Sequence, residues 1–200
     1  SSAEWVARAE RLDREVHSSG SRLMLVRWLA ASWRLDEAEA ALDTILLEED
    51  KLMGTDTVAH ACLSAGLLDQ AITLFEKNLA DSERILGPDH PDTLTSRNNL
   101  ARAYLSAGML EQAINLHEQN LADIGRILGP SHPDILAARN NLARAYLSAG
   151  MLEQAINLHE QNLADIGRIL GPSHPDILAA RNNLARAYLS AGMLEQAINL

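Results

Sequence analysis

The stretch LGPSHPDILAARNNLARAYLSAGMLEQAINL, residues 128–158, recurs letter for letter at residues 170–200. Its Gly-Pro pairs fix the interval: Gly87-Pro88, Gly129-Pro130 and Gly171-Pro172 lie 129 − 87 = 171 − 129 = 42 residues apart. A fixed period of this size is the mark of stacked structural units. Such a chain has no single core, because each unit buries its apolar face only against its neighbours. Residues 86–127 and 128–169 differ only at Asp89/Ser131, Thr93/Ile135, Thr95/Ala137 and Ser96/Ala138.

The repeat letters also say what the units are made of. Hydrophobic residues are 47% of the chain, yet there is one Phe, and Tyr and Trp number three each. Packing therefore falls to Leu, Ala and Ile, and Leu and Ala are strong helix formers. The formal charge of −10 argues against a nucleic-acid partner, since phosphate binding needs a cationic surface. Residues 1–85 hold 16 acidic and 9 basic residues, a net of −7, which reads as a solvated acidic face. The single Cys62 cannot form an internal disulfide and fits a reducing compartment; it stands where Tyr104 stands one unit later, so a packed thiol is expected. No stretch is apolar enough to span a membrane and no signal-peptide pattern opens the chain, so a soluble, cytoplasmic protein is expected.

Apolar spacings of three and four predict helices over 3–16, 21–33 and 35–47, with Ala38 allowing close helix approach. A turn must follow, placed at Glu49 to Lys51 or, as the second choice, at Gly54-Thr55. A helix over 67–86 comes next. In the regular unit Ser131 is expected to cap a helix that has Pro133 in its first turn and closes at Gly150. Its partner helix covers 152–170, stops at Gly171 and is weakened by Gly167 within it. The expected units are 1–50 (divergent N-terminal helices and a first repeat-like unit), 51–85 (divergent), 86–127, 128–169 and 170–200 (truncated).

A helix pair carrying Leu100, Ala101, Tyr104, Ala107, Gly108 and Ala113, repeated at 142–155 and 184–197, resembles the tetratricopeptide repeat. The string LGPDHPDTLTSRNNLA, residues 86–101, is similar to the 42-residue variety of kinesin light chains and of bacterial NB-ARC or STAND signalling proteins. The resemblance implies an all-α fold, a right-handed superhelical solenoid of antiparallel helix pairs. It departs from the family where His117 and Asn120 replace the usual aromatic residue and alanine.

On the first helix of the unit, Thr95, Asn98, Asn99, Arg102, Leu105 and Ser106 lie within about 60° of Arg102 at about 100° per residue. Leu100, Tyr104 and Ala107 point the other way, into the stack. The resemblance places the stripe in the concave groove, where repetition gives ladders of Asn98, Asn140, Asn182; Asn99, Asn141, Asn183; and Arg102, Arg144, Arg186. Asn offers a donor and an acceptor to a peptide backbone, and Arg a fork for carboxylates. An extended, acidic peptide or a partner's helix is the expected ligand, with capping and ion pairing by the same residues as the bland alternative. Helix capping and packing are expected of the recurrent His90, His117, His132, His159 and His174, and no metal, since HEQNL lacks the second His of HExxH. No cofactor and no catalysis are expected: there is no phosphate-binding loop, and Lys occurs only at Lys51 and Lys77. Two functions remain: a protein-binding scaffold or sensor within a larger signalling protein, or an array that self-associates through its C-terminal repeat, where no polar capping helix follows Leu200.

Overall fold

Short turns, several of them holding a left-handed glycine, let consecutive helices within each unit run back against one another. The computed structural model describes residues 19–171 and 174–200, and among them there are ten helices and no strand. The helix expected over 3–16 lies outside the described residues. The chain divides into two compact units, residues 1–107 and 108–200.

In the first unit α1 (Ser19–Ala31) packs on α2 (Leu35–Leu42) and α3 (Glu48–Ser64), α3 packs on α4 (Leu68–Ile85), and α4 on α5 (Pro91–Ser106). In the second unit α6 (Leu110–Leu128), α7 (Asp134–Ser148), α8 (Leu152–Ile169), α9 (Asp176–Ser190) and α10 (Leu194–Ile198) each pack on the next. Small residues let the backbones approach: Ala38, Ala71, Ala101, Ala113, Ala143 and Ala155 are fully buried. Cys62 is fully buried as well, and that burial pushes its thiol pKa up. His117 and Asn120, the departures from the family pattern, are both buried, as are His159 and Asn162. Asn162 donates to the Leu136 carbonyl at 2.8 Å and Asn78 to the Leu52 carbonyl at 3.2 Å, so these buried amides tie α8 to α7 and α4 to α3.

The regular turns share one hydrogen-bond pattern. Met151 N–H reaches back to the Tyr146 carbonyl (2.9 Å) and Gly150 N–H to that of Leu147 (3.1 Å), with Gly150 at φ +74°. This is a Schellman closure, which needs a left-handed residue at its centre. The end of α1 has the same two bonds, Arg34 N–H to Leu29 and Trp33 N–H to Ala30, but the left-handed residue is Trp33, at φ +59°. A side chain there costs about 1–2 kcal/mol. Trp33 is mostly exposed, so little packing offsets the cost. Trp33→Gly is accordingly expected to stabilise the first unit by about 1 kcal/mol in urea denaturation; a lower midpoint would show that the indole is held by contacts worth more than the strain.

Two sequence expectations need correction. The helix placed over 35–47 stops at Leu42, and the turn lies at 43–47, before either stretch proposed for it. Thr44 returns its hydroxyl to the Ala41 carbonyl (2.7 Å), the Arg22 guanidinium donates to the Thr44 carbonyl, and Ile45 turns into the core. Glu48, Glu49 and Asp50 then form the first turn of α3, where acidic side chains face the positive end of the helix dipole. Ser131 is not the cap of α7. That helix starts at Asp134, whose N–H is taken by His132 Nδ1 (3.2 Å), while the Ser131 hydroxyl accepts from Arg168 (2.8 Å). His90 and His174 make the equivalent bond to Asp92 and Asp176, so these recurrent histidines are turn residues.

Candidate functional site

In the first unit the polar stripe lies on α5. Asn98 and Arg102 are half-buried, but Asn99 is buried and donates from Nδ2 to Asp56 Oδ1 of α3 at 3.0 Å. Asp56 and His60 occupy on α3 the places that Asn98 and Arg102 occupy on α5, 42 residues later. His60 Nδ1 sits 3.0 Å from the Asp56 carbonyl and 3.4 Å from its carboxylate. The hydrogen bond to Asp56 raises the His60 pKa, with burial and Arg102 acting against it. The ring also meets Phe75 of α4 edge to face, centroids 5.0 Å apart. One first-helix face in this unit therefore carries Asp and His where the regular repeat carries Asn and Arg.

In the second unit the stripe is more open. Arg144 of α7 and Arg186 of α9 are exposed, Asn182 is exposed, and Asn140, Asn141 and Asn183 are half-buried. The serine hydroxyls of the stripe are spent on their own helices: Ser106 donates to Arg102, Ser148 to Arg144 and Ser190 to Arg186. Thr95 likewise donates to Pro91. The rest of the stripe consists of amides and guanidinium groups.

Other arginines of the repeat are structural. Arg97 is buried and pairs with Glu83 at 3.2 Å; its counterpart Arg139 meets Asp165 at 2.7 Å. Arg139, then Arg168, hold the Asp165 carboxyl below its usual range.

A second ladder escaped the sequence reading. Tyr104, Tyr146 and Tyr188, expected to point into the stack, are anchored at their rims, each hydroxyl donating to a carboxylate at 2.6 Å: Glu76, Glu118 and Glu160. Burial first, and then the glutamate, raise Tyr104 and Tyr146 to about 12. The recurrence of Glu 28 residues before each Tyr was the available signal.

Buried His159 faces a different environment from His60. Its Nδ1 has no partner among the described residues, and burial, with Arg186 adding to it, lowers its pKa. The unfolded chain then takes up this proton as pH falls through about 6.5, while the folded one resists. The stability held at neutral pH is thus lost progressively below about 6.5. His159→Phe is expected to gain on the parent protein between pH 7 and pH 5 in thermal melts; equal losses in both proteins would contradict it.

Among the described residues no three His, Cys, Asp or Glu side chains converge to hold a metal, and no helix is long and apolar enough to cross a membrane.

A family model described as "Tetratricopeptide repeat" matches residues 52–124, 110–165 and 134–200. The fold is similar to that of a kinesin light chain from Podosopora anserina with nearly identical TPR-like repeats, at 31% identity and TM-score 0.74 over 96% of this chain and 92% of that one. It is similar also to BtubC (BKLC) from P. vanneervenii, at 20% identity and TM-score 0.76 over 99% and 84% of the two chains. The apo form of RapI shares the fold at 11% identity and TM-score 0.73, over 96% of this chain and 55% of RapI. Among curated proteins none matches the chain.

Proposed function

The chain belongs to the tetratricopeptide repeat family, whose members are in general non-enzymatic protein-interaction scaffolds, and on that premise we propose that it binds an extended, acidic peptide or partner helix on its first-helix faces. The observation that carries the reading is the exposure of Arg144 and Arg186 beside Asn140, Asn141, Asn182 and Asn183. Exposed guanidinium groups supply charge-assisted bonds to carboxylates, and the amides beside them suit peptide backbone. In the first unit Asn98 and Arg102 extend the same chemistry, while Asn99 serves mainly to hold α5 on α3. Binding of this kind fits a cytoplasmic sensor or scaffold within a larger signalling protein.

The test is charge reversal at Arg102, Arg144 and Arg186 together, read against an array of acidic octapeptides. We expect a loss of roughly tenfold or more in affinity and a weaker salt dependence. Unchanged binding to the peptides that the parent protein selects would remove the proposal.

A second reading is favoured by a separate observation. Leu178 and Ile198 are 71% and 81% exposed, and Leu189 and Leu194, also on α9 and α10, are exposed as well. An apolar face of this kind is suited to stacking against another copy. Leu178→Glu with Ile198→Glu should then lower the mass in light scattering, whereas a monomer at high concentration in the parent protein excludes the reading.

A further inference from the structure

The first unit contains a cleft of about 580 Å³ between the N-terminal halves of α3 and α5, floored by α4. Volumes of this order hold small ligands or single side chains with their neighbours. Its floor is polar: buried Ser82 reaches Asn78 Oδ1 and Ser96 Oγ, both at 3.3 Å. Its walls include Leu52, Leu86 and the exposed Met53. Its rim carries three carboxylates, Glu49, Asp56 and Asp92, and no lysine or arginine is among the lining residues.

The same place in the second unit is apolar. Register puts Ile166 at the position of Ser82 and Ala180 at that of Ser96, and these two pack with Leu136 into an apolar cluster. The rim changes with the floor, since Glu49 and Asp56 become Pro133 and Asn140, leaving only Asp176. The cleft is therefore made by substitutions that depart from the repeat together, and it does not follow from the fold. Glu49 and Asp92 also offset helix N-terminal charge, and Asp56, well inside its helix, keeps its place at the rim while accepting from Asn99 and lying 3.4 Å from His60 Nδ1.

We propose that this cleft takes a lysine or arginine side chain of a partner peptide, its alkyl stem along Leu52, Met53 and Leu86 and its cationic head among Glu49, Asp56 and Asp92. Charge complementarity selects the occupant: a cation on an apolar stem satisfies both the walls and the rim, and an acidic side chain meets three like charges. The specificity is opposite to that of the arginine stripe, and it rests on the scaffold reading only in that the ligand is a peptide.

The test uses the full chain and three capped octapeptides that differ only in carrying two lysines, two norleucines or two glutamates. Amide shifts of Leu52, Asp56 and Ser96 are followed by NMR. The lysine peptide is expected to move these signals, with affinity falling several-fold as salt is raised, and the other two are not. Ser82→Ile, which installs the residue of the regular repeat, and Glu49→Gln with Asp92→Asn, which only neutralises the surface, should each weaken the lysine titration roughly tenfold. The second variant keeps the test open if the first does not fold. Equal shifts with norleucine or glutamate, no shifts with lysine, or a lysine titration unchanged in the rim variant would each overturn the proposal. Survival of the lysine titration after reversal of the three arginines, together with unchanged acidic-peptide binding, would remove the stripe reading and leave this one standing.

Discussion

Phe75→Ala is expected to destabilise the first unit by about 4 kcal/mol, the usual cost of emptying a buried aromatic site. Phe75 is fully buried and is the largest such side chain among the described residues. It stands on α4 with its ring edge-to-face against His60, an arrangement that adds to the burial itself. Register gives the internal comparison, since His117 and His159 occupy the same place in later units and are also buried. The fold thus accepts a smaller, more polar ring here, and Phe75→His should cost clearly less than Phe75→Ala. The measurement is convenient because all three tryptophans, Trp5, Trp28 and Trp33, precede residue 34. Indole fluorescence then reports the first unit, and circular dichroism reports every helix. In a repeat array a local lesion need not melt every unit at once. The fluorescence midpoint in urea should fall far more than the dichroism midpoint, and coincident small shifts in both would show that Phe75 is not the centre of its unit.

The regular part of the fold was legible because its signals are local and repeated. Gly150 and Gly192 take the left-handed conformation that the Ala-Gly pattern implied, and the helix read over 67–86 is found at Leu68–Ile85. Misreadings gather where the repeat is imperfect. LDEAEAALDTILL contains neither Gly nor Pro, so nothing in it announces that Thr44 bonds back to Ala41 and ends the helix. The Ser131 cap was a motif read in isolation; a histidine one residue later took the helix N–H instead. The polar stripe was legible as a helical face, but which of its members were already engaged was not. Asn99 bonds to Asp56, 43 residues away, and such a contact follows from tertiary packing alone. The cleft of the first unit was open to the sequence in principle. Ser82 against Ile124 and Ile166 is visible once residues are compared in register, but its meaning depends on Ser96 and Asp56 lying across from it on other helices.

Gly54 is where the misread turn and the packing of the first unit meet, and Gly54→Leu is expected to cost about 3 kcal/mol, the upper end of what overpacking usually costs. Glycine suggested a turn, yet Gly54 lies inside α3 and is buried. A Cβ built there would come 2.7 Å from Leu42 Cδ2 and 3.3 Å from Ile45 Cδ1. Those two side chains come from the end of α2 and the turn after it, so the glycine sets how closely that turn can lie on α3. Ser96, Ala138 and Ala180 hold the same register position and are buried with their Cβ atoms in place. The crowding is therefore peculiar to the first unit, where the shortened α2 brings Leu42 and Ile45 inward. Alanine separates the two effects of the missing side chain. It adds about 1 kcal/mol of helix propensity, while its single carbon needs only the far end of the Leu42 side chain to shift, so Gly54→Ala should lie near the parent in stability. Leucine needs the turn itself to move. Urea titrations followed by tryptophan fluorescence decide the matter: a large loss in both variants would mean that the backbone cannot yield at all, and no loss in either would show that Leu42 and Ile45 do not press on Gly54 in solution.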